Sequence, residues 1–313
     1  MRHLMLFMLS FAVIGCAPKT GKQVPVYIPA GLTTAAIAET LHCHGIIDNP
    51  LKFLIEARIL GFDKKLRYGQ YKFALNSDEL SVLQRMIQYG RTSVKVTIPE
   101  GLGITQIADL LEIRGICRAQ EFISAGHDRP LLLEFDIPFN SAEGFLFPDT
   151  YEFELKTRPA NVIKRMVRHF FEVFEELKKD AEPVLDNKQT VILASIVQKE
   201  ALLPEEFPVI SGVFINRLNR KMLLQSCATV EYILPQHKEK LTIYDTRIES
   251  PYNTYIHEGL PPGPICNPGR RALKAAISPA HTAYLYFVSK GDGSHIFSCT
   301  GREHERAKRR LHE

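Results

Sequence analysis

The chain has no tryptophan and only six cysteines in 313 residues. No CxxC spacing joins any of the six, which argues against a zinc site and against a full disulfide framework. An excess of one charge is also missing: 39 Lys and Arg stand against 35 Asp and Glu, a net charge of +4. That is a faint electrostatic footprint for nucleic acid, and no nucleic-acid partner is expected. With 45% hydrophobic residues, general disorder is excluded. After the first fifteen residues no apolar run approaches the roughly 20 residues that cross a bilayer, so a multi-span membrane protein is excluded too. At about 100–200 residues per domain, the length suits two domains or three.

What is present begins at the N-terminus. Met1-Arg2-His3 is a short basic start, and residues 4–15 are apolar except for Ser10. The run has the length of a signal-peptide core and is short for a spanning helix. It ends in Val13-Ile14-Gly15-Cys16, which is similar to the bacterial lipobox, where the signal is cut before a cysteine that then carries lipid. Cys16 is the expected lipidation site, with an uncleaved anchor as the alternative. On either reading the body is exported and held at a membrane. The remaining cysteines, Cys43, Cys117, Cys227, Cys266 and Cys299, are odd in number, which leaves room for one or two bridges.

Repetition organises the first half. Ile28-Pro29-Ala30-Gly31 returns 70 residues later as Ile98-Pro99-Glu100-Gly101, and the same offset carries Ile37-Ala38 onto Ile107-Ala108, Leu41 onto Leu111, and Gly45-Ile46 onto Gly115-Ile116. Each copy reads as a short alternating strand, a Pro-Gly turn and an amphipathic helix ending at glycine. Ile37 with Leu41, and Ile107 with Leu111, are spaced i,i+4 and share one helical face. These positions fill a small α/β core; no set of catalytic side chains recurs with them. Between the copies, 69–73 alternates as a strand and 80–87 is helical in pattern. Strand–helix units of this kind are similar to LysM-type glycan-binding modules, so glycan contact is expected of this half. A long helix over 160–179, closed by Pro183, places the domain boundary near 135–185.

The second half carries the chemistry. Residues 190–200 read as a helix with Thr190 as its N-cap. Leu193, Ile196 and Val197 precede Glu200 by seven, four and three positions, so Glu200 falls at the centre of an apolar stripe, with Gln198 nearly opposite. A carboxylate on a buried face finds a partner or takes a raised pKa, and a raised pKa is what a general acid needs at neutral pH. The alternative is a glutamate at a fraying end, facing water. A second helix opens at Pro204-Glu205-Glu206 and runs to Leu218. Segments 251–255 and 259–269, rich in proline, glycine, asparagine and tyrosine, read as ordered loops. Amide and aromatic side chains on such loops suit the hydroxyls and ring faces of sugars. Near the C-terminus, 284–288 and 295–298 form a hairpin around Gly291-Asp292-Gly293. The stretch 302–312, with Arg302, Arg306, Lys308, Arg309 and Arg310, reads as a solvated basic helix. His295 and His304, nine apart, are too little for a metal site.

The order of motifs carries a resemblance. Glu143-Gly144-Phe145-Leu146-Phe147-Pro148-Asp149-Thr150-Tyr151, Ala194-Ser195-Ile196-Val197-Gln198-Lys199-Glu200, Val213-Phe214-Ile215-Asn216-Arg217-Leu218, Tyr252-Asn253-Thr254-Tyr255 and the 259–269 loop, followed by His295-Ile296-Phe297 and His304, resemble the MltG (YceG-like) endolytic murein transglycosylases. The resemblance runs from about residue 24 to the C-terminus and is strongest after 143. It implies an α+β fold in three parts: a signal, lipoprotein-type or anchor segment (1–16), a LysM-like strand–helix region with the internal repeat (24–135), and a mixed α/β catalytic domain (136–313). It also implies attachment to the bacterial envelope, most simply the inner membrane with the body in the periplasm, and peptidoglycan glycan strands and cell-wall synthases as partners.

The family's catalytic glutamate is the second acidic residue of a Glu-Lys-Glu stretch, which lands on Glu200. Gln198 departs from the pattern at the first glutamate, and Cys227-Ala228 stands where an Asp-Pro pair is usual, in a loop expected to line the cleft. The implied mechanism needs one carboxylate. Glu200 protonates the glycosidic oxygen, then takes the proton of the C6 hydroxyl of the same muramoyl residue, which closes a 1,6-anhydro ring. Gln225, Tyr252, Asn253 and Asn267 are the candidates for holding the glycan. No metal or organic cofactor is implied. A hydrolytic muramidase and a non-catalytic peptidoglycan-binding scaffold are the alternatives.

Overall fold

A computed structural model describes residues 23–89, 93–179, 181–236, 238 and 241–312. Cys16 and the apolar run before it lie outside them. The chain divides into two compact units between residues 92 and 93.

The smaller unit is a two-stranded antiparallel sheet covered by helices. Strand β1 (Gln23–Ile28) pairs antiparallel with β2 (Gly69–Ala74), Val26 opposite Tyr71. Helices α1 (Thr34–Cys43) and α2 (Pro50–Ile59) lie between the strands in sequence, and α3 (Glu79–Tyr89) follows them. Alternation puts Val26, Ile28, Tyr71 and Phe73 on one face, where they meet Ile37, Leu41, Phe53 and Leu83 in one apolar cluster. A two-stranded sheet alone is marginal in water, so this cover is what makes the unit possible. The N-caps are written in the sequence: Thr33 accepts from the Ala36 N–H at 3.2 Å, and Asn49 from the Lys52 N–H at 3.0 Å.

The larger unit begins with the same hydrogen bonds. Strand β3 (Ser93–Thr97) leads to α4 (Ile104–Ile113), α5 (Ala119–Gly126) and α6 (Arg129–Glu134), then to β4 (Thr150–Glu154), which pairs antiparallel with β3. Gly45 and Gly115 end α1 and α4 at φ +66 and +71, the left-handed conformation that favours glycine. The Asn76 N–H donates to Gly45 O at 3.0 Å, and the Lys156 N–H to Gly115 O at 3.1 Å. Tyr71 stacks on Phe73 as Tyr151 stacks on Phe153. Yet the second copy is not free-standing: Ile98, Ile107, Leu111 and Phe122 belong to the same apolar cluster as Leu193 and Ile196. The compact units therefore part well before 135, because residues 93–135 bury their apolar face in the larger core.

That core is helical. Helix α7 (Pro159–Lys178) supplies Phe170 and Phe174; α8 (Asn187–Glu200), α9 (Phe207–Asn219), α10 (Cys227–Ile233) and α11 (Arg270–Ile277) follow. A short hairpin, β5 (Tyr286–Ser289) with β6 (His295–Ser298), and α12 (Gly301–His312) close the chain. Helix α8 is the centre: residues 190–197 are all buried, and it packs against α9, α10 and α11. Two local expectations change. Asp186, not Thr190, is the N-cap, accepting from the Gln189 N–H at 2.7 Å, while Thr190 sits inside the helix and donates to Asp186 O. The helix is also covered on all sides rather than along one stripe. Among the described residues no helix is long and apolar enough to cross a membrane.

Candidate functional site

Glu200 is the last residue of α8, where the buried helix runs out into a cleft of about 320 Å³. The residue keeps some exposure through that opening while its carboxyl is enclosed. Ser226 Oγ donates to Glu200 Oε1 at 2.5 Å. Burial raises the Glu200 pKa above the ordinary carboxylate value; Ser226, the Ala228 backbone N–H and His295 pull the other way, and Glu231 adds to the rise. Donors wait for the anion in a place that favours the acid, which suits a group that must give up a proton and take one back.

Sequence reasoning missed Ser226, yet it is the best-supported partner of Glu200. Its N–H donates to Thr254 Oγ1 at 3.1 Å, and its carbonyl accepts from Thr229 Oγ1 at 2.7 Å. Thr229 and Thr254 join hydroxyl to hydroxyl at 2.9 Å. The segment just before Ser226 is held by a buried cation: Arg217 Nη1 donates to Leu224 O at 2.8 Å, while Nε donates to Leu285 O at 2.6 Å. Arg217 sits in the Val213–Leu218 motif, so its residue type was visible and its partners were not.

The opposite wall of the cleft comes from the second repeat copy: Glu100, Leu102 and Gln106 face Gln198, Lys199 and Glu200 across it. The expectation that Gln198 points away is corrected. Gln198 is half-buried, lines the cleft, and accepts the Gly269 N–H at 2.8 Å. Ser195, wholly buried, does the same one turn earlier, accepting the Ile265 N–H at 3.0 Å. The 259–269 loop is thus sewn along α8.

The sequence-predicted glycan residues divide. Asn253 and Asn267 are both 0% exposed. Asn253 Nδ2 donates to Thr246 O and Ile248 O. Asn267 Oδ1 accepts from the Gly144 and Leu146 N–H groups, and its Nδ2 donates to Leu102 O and Glu143 Oε1. All their capacity is spent on backbone and carboxylate, so neither offers a face to ligand, and their assignment as glycan contacts is corrected. Tyr252 is half-buried with its ring 4.9 Å from that of Tyr232, outside the residues lining the cleft. Gln225 remains: it is exposed, in the left-handed region at φ +49, immediately before Ser226. Cys227 is exposed beside it, its Sγ 3.1 Å from Tyr255 Oη, and opens α10 rather than a loop. His295 and His304 go to different partners: His295 Nδ1 lies 2.6 Å from Glu206 Oε2, and His304 stacks on Tyr286.

Glu143 is another buried carboxylate, one that the sequence did not single out. Its Oε2 accepts from the Ile104 N–H at 2.9 Å, standing in for the side-chain cap that Gly103 cannot give α4, and its Oε1 accepts from Asn267. Burial pushes its pKa up to about 7, against the pull of the Ile104, Asn267 and Gly144 donors. The next residue, Gly144, is at φ +88 with Pro264 where a Cβ would stand, so only glycine fits.

An unfolded glutamate ionises near 4.5, so between 4.5 and about 7 the folded chain keeps a proton that the unfolded chain releases. The contribution of Glu143 to stability is complete below that window and is lost as pH rises through it, a change of about 3 kcal/mol at most. Glu200 acts with the same sign. The stability of wild type relative to Glu143→Gln, measured by urea unfolding, is therefore expected to fall between pH 4.5 and about 7; a difference that stays flat would contradict it.

The site holds one enclosed carboxyl, met by the Ser226 hydroxyl and the Ala228 N–H, at an open cleft. Residues 26–310 match the YceG-like family, and the chain belongs to that family. It is 32% identical over 91% of its length to the endolytic murein transglycosylase of Bacillus subtilis (strain 168), covering 84% of that protein. It is 28% identical to the endolytic murein transglycosylase of Streptococcus pneumoniae (strain D39), again over 91% of the chain, and spans 58% of that longer relative. A crystal structure of a yceG-like protein from Listeria monocytogenes superposes with a TM-score of 0.61 at 29% identity, covering 92% of this chain and all of that one.

Proposed function

We propose that this protein is an endolytic murein transglycosylase: it cuts the MurNAc–GlcNAc bond inside peptidoglycan strands and leaves 1,6-anhydro-MurNAc ends. The observation that carries this reading is the enclosed Glu200 carboxyl, held by Ser226 at the mouth of a cleft, in a chain whose relatives bear that activity by name. The raised pKa favours the protonated form of Glu200, which gives its proton to the glycosidic oxygen. The carboxylate so formed meets the Ser226 hydroxyl and the Ala228 N–H, then removes the proton of the C6 hydroxyl as that oxygen attacks C1. The nucleophile is already attached to the sugar, so its entropy of capture is low and no second carboxylate is required. Gln225 and Cys227, exposed beside Ser226, Lys199 next to Glu200, and Gln106 across the cleft are the side chains we assign to the glycan. The small first unit serves as a LysM-like glycan contact, and the N-terminal segment, with Cys16 as its lipid site or as an uncleaved anchor, holds the body in the envelope near the synthases that extrude new strands.

One observation favours a second reading. Glu100 shares the cleft, its carboxyl packed against Gly269, and a second carboxylate is what a hydrolase needs. Digestion of purified long glycan strands separates the readings. An endolytic transglycosylase is expected to give mid-length fragments from the first time point, each with an anhydro end. Reducing ends would support the muramidase, and uncut strands the scaffold.

A further inference from the structure

Helix α2 turns an apolar stripe to solvent. Leu51, Ile55 and Ile59, spaced i,i+4,i+8 along one side, are 66%, 50% and 78% exposed. Leu60 and Tyr68 continue the apolar surface at 44% and 47%. The opposite side, Phe53 and Ala57, is wholly buried and does the packing. The stripe is thus surplus to the fold, whereas a surface helix normally gives its polar face to water.

The second repeat copy is an internal control. Aligning the two helices by their buried residues pairs Phe53 with Phe122 and Ala57 with Gly126. The same alignment pairs Leu51, Ile55 and Ile59 with Gln120, Ser124 and Asp128, all polar and none of them buried. One architecture, used twice, carries an apolar outer face only in the copy that follows the N-terminal segment.

Charge surrounds the stripe. From Lys52 to Arg67 the surface carries Lys52, Arg58, Lys64, Lys65 and Arg67 against Glu56 and Asp63. Apolar side chains on one helical face with basic residues at its end are the pattern of a helix lying in an anionic lipid interface. Reach agrees with it. Six residues separate Cys16 from Gln23, where β1 begins, and seven extended links span at most about 25 Å.

We infer that the outer face of α2, Leu51-Ile55-Ile59 with Lys64, Lys65 and Arg67, docks on the anionic surface of the membrane that holds the N-terminal segment. This rests on the reading of residues 1–16 as a membrane attachment. Docking adds a second point of attachment and fixes the first unit at the lipid surface.

The absence of tryptophan makes the test direct, because the substitution Ile55→Trp then supplies the sole indole of the full chain. The variant is reconstituted into vesicles of phosphatidylglycerol and phosphatidylethanolamine, or of phosphatidylcholine alone, and flotation is scored separately from fluorescence. Expected are co-flotation with both, and, in the anionic vesicles only, a blue-shifted emission quenched by lipids brominated on their acyl chains. Charge reversal at Lys64, Lys65 and Arg67 is expected to abolish the quenching while flotation persists. Ile59→Trp gives the same reading should position 55 not tolerate the ring, and Ser124→Trp is expected to stay water-like. Flotation of the Ile55→Trp variant with unquenched, water-like emission overturns the docking and leaves the anchor standing. Failure to float overturns both. Equal quenching at position 124, or a blue shift without lipid that grows with protein concentration, overturns it too, the latter in favour of a second copy on the stripe.

Discussion

Glu200→Gln is expected to lower the rate of strand cleavage by about 10³-fold or more, with the fold intact. A positioned general acid or base contributes about 10²–10⁴-fold, and here one group serves as both in succession. A thousandfold is about 4 kcal/mol of barrier. The amide keeps the shape and accepts the Ser226 hydroxyl through its oxygen, but has no proton to give the leaving oxygen. Removing an acid from a site that disfavours its ionised form costs the fold little, so the melting temperature should stay within a few degrees. The check is the initial rate of fragment release beside thermal melting of the same sample. A variant within tenfold of wild type would dismiss Glu200.

Asn267→Ala is expected to act in the opposite way, on the fold rather than on catalysis alone. Its amide accepts two N–H groups, from Gly144 at 2.9 Å and Leu146 at 2.8 Å, and donates to Leu102 O and Glu143 Oε1. Truncation leaves two buried N–H donors and one buried carboxylate short of partners, each costing about 1–3 kcal/mol. A loss of roughly 4 kcal/mol is expected, a large share of the stability of a typical domain. Were Asn267 a glycan ligand, the same change would raise KM and leave urea unfolding unaltered. Chemical unfolding with and without the substitution distinguishes the two.

What the sequence disclosed follows from what local patterns can encode. Glu200 was legible because helical spacing places it on the side of Leu193, Ile196 and Val197, and those residues are indeed buried. The C-terminal hairpin was legible through alternation and glycine placement, whereas the pairing of β3 with β4 was not. Ser226 was not, because a serine beside Gln225 looks like any other turn residue until Thr229 and Thr254 fold it against Glu200 from further along the chain. Asn253 and Asn267 were misread because a loop asparagine that binds sugar and one that binds backbone have the same local signature; burial alone separates them. Gln198 was misplaced by the helical wheel, which assumes one buried side, while α8 is surrounded. The boundary was read from the end of the long helix at Pro183, whereas the compact units part at residues 92 and 93, because nothing local says that the second repeat copy is absorbed by the larger core.

The central claim is that a single carboxylate, with no water as nucleophile, breaks the strand. Cleavage of long glycan strands in water enriched in ¹⁸O, with mass spectrometry of the new ends, tests it most directly. The account predicts fragments ending in 1,6-anhydro-MurNAc that carry no ¹⁸O and lie one water below the hydrolytic product in mass. New reducing ends, each holding one ¹⁸O, would contradict it and make Glu100 the first residue to substitute.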